Sequence, residues 1–168
     1  MSPRAAWRLE TLGFMNVYDY KDGKLDWMAA GFPMEGTNAE RPRAADVARK
    51  DVVTCRLDER LGDVSARAAA AGWEAAVVVN EERVVLGLLR KKELAGEPGQ
   101  PVEGAMRPGP STFRRYVAIT EMAAFMTDHN LDSSPITTSD GRLTGLVLKE
   151  DAVRVAHELG HESEEKVL

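Results

Sequence analysis

The chain carries one unit twice. Ala75 to Leu94, AAVVVNEERVVLGLLRKKEL, returns as Ser133 to Ala156, SSPITTSDGRLTGLVLKEDAVRVA. Placing Gly145 on Gly87 sets an offset of 145 − 87 = 58 residues, and the register holds without a gap well outside these windows. Ile119 then falls on Leu61, Glu121 on Asp63, Met122 on Val64 and Met126 on Ala68; Ile136 falls on Val78, Lys149 on Lys91 and Asp151 on Glu93. Asn130 falls on Gly72, and these two residue types best tolerate the left-handed conformation just past a helix end. Each unit is near the lower size limit for a stable core, and its sheet has an apolar face that no local element covers, so the two copies are expected to bury those faces together.

The pattern within a copy predicts β-α-β-β-α. In the first, from about Val47 to Leu94, strands are expected at Asp51–Cys55, Ala75–Val79 and Val84–Leu88, with helices at Asp63–Ala71 and from Lys91. In the second, from about Val102 to Leu159, strands are expected near Ser111–Phe113, Ser134–Thr137 and Leu143–Leu148, with helices at Glu121–His129 and from Lys149. Val77–Val79 and Val84–Leu89 are continuous apolar runs, as in strands covered on both faces. The fold class is therefore mixed α/β (α+β). Ala95–Pro101 is turn material between the copies, Glu35–Asp46 reads as a linker (37–46 in the domain division), and 160–168 as a frayed tail. Ahead of the linker, apolar spacing predicts a helix from Ser2 to Gly13, β-prone NVYDY (Asn16–Tyr20) a strand, KDGK (Lys21–Lys24) a turn, and Leu25, Trp27 and Met28 a second helix.

Composition narrows the partners. A net charge of −5 argues against general attraction to nucleic acid or an anionic membrane. The longest apolar runs fall far short of the roughly 20 residues of a membrane span, and no secretory signal is visible. A single cysteine, Cys55, excludes an intrachain disulfide framework and suits a cytoplasmic location; matching Phe113 in the repeat, it reads as a core residue.

The tandem repeat, with Ser134-Pro135-Ile136, Asp140-Gly141-Arg142-Leu143-Thr144-Gly145-Leu146 and Asp151, resembles a pair of cystathionine-β-synthase (CBS) domains over Val47 to Leu159. The resemblance implies a pseudo-twofold pair of copies, a non-enzymatic regulatory role, and clefts between the copies for AMP, ADP, ATP or S-adenosylmethionine. It also implies pairing through helices into a homodimer, and an effector protein that responds. An ionised carboxylate at a helix start can accept both ribose hydroxyls, and Asp151 is placed for that. Carried over from the family, Asp151 would work with Val53 and Thr54, with Ser134 and Pro135 lining its cleft, and Glu93 with Ser111 and Thr112. Arg90, Lys91, Lys92 and Lys149 are the bases available to phosphate. Both copies depart from the family pattern: its Ser or Thr is Leu148 in one and Arg90 in the other, and Glu93 replaces Asp. Asp151 and Glu93 equally suit first-turn acids complementing a helix dipole, which leaves a structural or dimerisation module with degenerate sites as the alternative.

The first 36 residues, around LGFMNVYDYKDGKLDWMAAGFP, resemble the C-terminal end of a rhodanese-like (sulfurtransferase) domain. That family's nucleophilic cysteine sits ahead of this run, so the segment reads as a remnant or truncation that packs on the remainder, with Trp7 and Trp27 requiring a partner surface. His157-Glu158-Leu159-Gly160-His161 matches the H-E-x-x-H zinc pattern of hydrolases, with Glu164 or Glu165 as a further donor. Gly160 weakens that helix, and the pattern falls at the end of the second copy, so a frayed helix end is the expectation. His129 suits a helix C-terminus, and Met122, Phe125 and Met126 a core or subunit contact.

Overall fold

A computed structural model describes residues 3–20, 23–36 and 41–165. The first copy supplies α3 (Ala44–Val47), β1 (Val53–Cys55), α4 (Leu61–Ala70), β2 (Ala75–Val79), β3 (Val85–Arg90) and α5 (Lys91–Leu94). The second repeats the order with α6 (Val102–Ala105), β4 (Arg107–Pro108), β5 (Phe113–Arg114), α7 (Ile119–Asp128), β6 (Ser133–Thr137), β7 (Leu143–Leu148) and α8 (Lys149–Glu165). Before them lie α1 (Pro3–Thr11) and α2 (Gly23–Ala29).

The sheets run β1-β2-β3-β4 and β5-β6-β7, each with a parallel first pair and an antiparallel hairpin. Their irregularities repeat as well, with a register shift at Val78/Val79 and at Ile136/Thr137. β2 is buried along its whole length, as a continuous apolar run requires, and β6 is buried throughout although it carries Ser133, Ser134 and Thr137. Gly72 and Asn130 both adopt positive φ, +72° and +50°, past their helices.

The copies are joined by reciprocal exchange. Ala44 N–H donates to Val117 O at 2.8 Å, and at the position 58 residues on Val102 N–H donates to Glu59 O at 2.9 Å. Arg49 and Leu146 exchange two 2.9 Å backbone bonds, matching the β-pairing of Leu88 with Arg107. The hairpin tips also meet, Val85 N–H on Gly141 O and Leu143 N–H on Arg83 O. The leading arm of each copy thus docks on the other. Val102, Leu143 and Leu146 from the second copy are buried in one core with Leu61, Val77 and Leu88, while Ala44 from the first is buried in the other with Ile119, Met122 and Ile136.

Several expectations require correction. The expected linker is helical at its end, since Ala44–Val47 forms α3 and Ala44 is fully buried. A four-residue helix displays barely one turn, too little for apolar periodicity, and burial on the other copy stabilises it. Asn16–Tyr20 joins neither sheet among the described residues, since β-propensity is a weak preference that yields a strand only where the segment packs against a partner strand. The chain continues as helix from Gly160 to Glu165. One glycine costs only about 1 kcal/mol in a helix, and Arg154 pairs along this one with Asp151 and Glu158. Residues 37–40, 166–168, Ser2 and the Lys21–Asp22 part of the expected turn lie outside the described residues.

In the N-terminal segment Trp27 contacts Tyr20 edge-on at 5.4 Å and Phe32 at 4.7 Å, and its Nε1–H donates to Pro33 O. Trp7 stays 65% exposed. Arg115 of the second copy donates to Ala30 O at 3.3 Å, tying the segment to the remainder.

Cys55 is buried beside Val77, and burial, then the Glu59 charge, push its thiol up to about 12 against the opposing pull of Arg67. Folded protein at pH 8 is expected to exclude an aromatic disulfide reagent, whereas protein in guanidinium releases one equivalent of chromophore. Rapid labelling without denaturant would contradict this burial.

Candidate functional site

A groove of about 1220 Å³ opens where the two copies meet. Its walls are related by the duplication: Gly72 and Asn130, Glu74 and Asp132, Ala75 and Ser133, Lys91 and Lys149 line it in pairs. The pseudo-twofold axis therefore runs through it, and the starts of α5 and α8 face it from either side. A cavity of about 500 Å³ between the N-terminal segment and Ala118 has no such counterpart.

The two carboxylates singled out by sequence are held alike. Asp151 accepts from Arg49 Nε at 2.8 Å, with the second guanidinium nitrogen at 2.7 Å, and lies 3.4 Å from Arg154. Glu93 accepts from Arg107 Nε at 2.7 Å and, through its other oxygen, from the Arg90 N–H at 3.0 Å. Burial works against the Glu93 charge, but the Arg107 hydrogen bond, the Arg90 N–H and the Arg107 charge together hold its carboxyl below the ordinary range. Each arginine rides on the exchanged arm, so each carboxylate is neutralised across the copies. Arg49 also lies over Trp73, 5.7 Å from the ring centre.

Among the residues expected to bind ligand, Glu93, Arg90, Leu148 and Lys149 line the groove, and Asp151 is hydrogen-bonded to its wall through Arg49. Val53, Thr54, Ser111, Thr112, Ser134 and Pro135 lie off that wall. Ser134 and Pro135 are buried in β6, where Ser134 Oγ–H donates to Ser111 O at 2.6 Å. Val53 and Thr54 pair with Ala76 and Val77. Arg49, Arg107 and Trp73 are the additions. The offset of 58 places Arg49 on Arg107, and that coincidence was the available signal.

The H-E-x-x-H run lies on α8, where Glu158 faces Arg154 at 3.3 Å; the side chain of His161 lies outside the described residues. No group of three His, Cys, Asp or Glu side chains close enough to hold a metal occurs among the described residues. His129 stacks on Phe125 at 3.8 Å, its Nδ1 2.9 Å from Phe125 O. Among the described residues no helix is long and apolar enough to cross a membrane.

The family model for the CBS domain matches residues 44–98 and again 102–158. Among solved structures, the CBS domain pair of protein MJ0100, in complex with 5′-methylthioadenosine and S-adenosyl-L-methionine, is similar at TM-score 0.63 and 16% identity, over 70% of this chain and 98% of that one. CBSX2 in complex with AMP is similar at TM-score 0.63 and 15% identity, over 70% and 98%. The cytosolic domain of the Mg2+ channel MgtE in complex with ATP is similar at TM-score 0.63 and 23% identity; the match covers 70% of this chain and only 50% of that one.

Proposed function

The chain belongs to the CBS-domain family, and from that premise we propose that its paired copies form a non-enzymatic regulatory module that binds an adenosine-containing ligand in the groove on their axis. The observation that carries the reading is a groove lined by residue pairs related by the duplication, with a helix-start carboxylate at or behind each side. Adenosine compounds occupy the similar MJ0100, CBSX2 and MgtE structures. A ribose that takes both oxygens of Asp151 must exchange with Arg49. The freed guanidinium then turns to the ligand, and because Arg49 is bonded through its backbone to Leu146, this exchange couples occupancy to the fit of the copies. AMP, ADP, ATP and S-adenosylmethionine are the candidates. The reading extends to a cytoplasmic homodimer answering to an effector protein, with residues 1–36 as a rhodanese-like segment, 47–95 and 102–159 as the two units, and no zinc-dependent hydrolysis at His157.

Thermal shift tests it. A ligand at about 100 times its dissociation constant adds roughly 2.7 kcal/mol to stability. Asp151→Ala is expected to abolish the shift while the unliganded melt stays within a few degrees, since exposed pairs such as Arg49–Asp151 contribute little. The occupancy of both carboxylates by arginine favours a second reading, a structural or dimerisation module whose acids only clamp the exchanged arms. Absence of any shift with all four compounds would select it.

A further inference from the structure

Resting on the groove as the ligand site, we propose that it anchors a phosphate chain on its first-copy side alone, at Arg90, so that the module takes one nucleoside polyphosphate per chain rather than two equivalent ligands. Duplication starts from two equal half-sites, and here they have diverged in charge. Arg90 stands where the second copy has Leu148, and Lys92 where it has Glu150. On the first-copy side Arg90, Lys91, Lys92 and Arg107 face Glu74 and Glu93, a surplus of 4 − 2 = 2 positive charges. On the other side Arg49 and Lys149 face Asp132 and Glu150, with Asp151 behind them against Arg49, a deficit of 3 − 2 = 1 positive charge.

That surplus is unpaired. Lys91 meets Glu74 at 2.6 Å and Arg107 meets Glu93 at 2.7 Å, which engages both first-side carboxylates. Arg90 and Lys92 have no carboxylate partner among the described residues, and Arg90 Nε is buried with no acceptor there. A desolvated guanidinium N–H without an acceptor is costly, and a polyanion in the groove supplies acceptors where the charge is concentrated. The planar fork of arginine matches phosphate geometry, and two uncompensated cations suit several linked phosphates better than one carboxylate. The opposite side, with apolar Leu148 and the Asp151 carboxylate behind it, repels a phosphate chain and suits the uncharged nucleoside end.

Calorimetry on the full chain with ATP, AMP, adenosine and inorganic tripolyphosphate tests this, using Arg90→Leu, which copies the second half-site, and Leu148→Arg, which copies the first. One ATP per chain is expected, bound roughly tenfold or more tighter than AMP, with tripolyphosphate competing. Arg90→Leu is expected to bring ATP to the affinity of AMP, to remove tripolyphosphate binding and to leave adenosine unchanged; Leu148→Arg is expected to create a second tripolyphosphate site. Two equal ATP sites, equal affinities for ATP and adenosine, or no gain in Leu148→Arg would overturn the anchor. If adenosine and AMP bind but tripolyphosphate does not, the anchor falls and the adenosine reading stands. If tripolyphosphate binds through Arg90 while adenosine and AMP do not, the reverse holds, and if none of the four binds both fall.

Discussion

Leu146→Ala is expected to cost about 2–5 kcal/mol and to loosen both copies in a single transition. Leu146 belongs to the second copy by sequence, yet it is fully buried in the core built around Val77 and Leu88, while its neighbour Val147 faces the other core. A cavity at this strand therefore weakens the shared boundary. Urea unfolding followed by far-UV dichroism and by Trp73 fluorescence, in a background with Trp7 and Trp27 replaced by Phe, measures it. The two probes should shift together; a loss below about 1 kcal/mol, or a first copy that melts unchanged, would contradict the exchange of cores.

Gly145→Ala is expected to destabilise by about 1–3 kcal/mol, and by more than Gly87→Ala at the equivalent position. A Cβ on Gly145 would stand 2.9 Å from Arg49 O and 3.0 Å from the Ala48 Cβ, so the exchanged arm itself must retreat. At Gly87 the closest atoms are the Met106 sulfur and Cγ, on a flexible side chain that can swing away, and the arm's backbone, Arg107 O, stands at 3.2 Å, farther than Arg49 O at Gly145. Displacing the arm also withdraws Arg49 from Asp151, so ligand affinity should fall in Gly145→Ala and hold in Gly87→Ala. Equal melting points for the two variants would show that the arm does not pack as described.

Why the duplication was readable and the exchange was not follows from the kind of pattern each leaves. Runs such as Val77–Val79, and the shared glycine between apolar neighbours, mark strands within a few residues of sequence. The short helices Ala44–Val47 and Val102–Ala105 offer no comparable period, although the offset of 58 relates them. The Arg49–Asp151 bond spans 102 residues, and nothing local to either residue names its partner. Asp151 and Glu93 could be picked out as helix-start acids, whereas their neutralisation depends on which copy each arm crosses to. In the opposite direction, Asn16–Tyr20 had the composition of a strand but pairs with neither sheet among the described residues.

The crossed arms also govern what happens if the chain is severed in the connector at 95–101. Each piece then keeps a short helix whose seat is on the other piece, and stability becomes a matter of protein concentration. The intact backbone makes that encounter intramolecular, at an effective concentration in the millimolar range for a short tether. Proteolytic nicking at this one bend would turn a fold held within one chain into one that dilution takes apart.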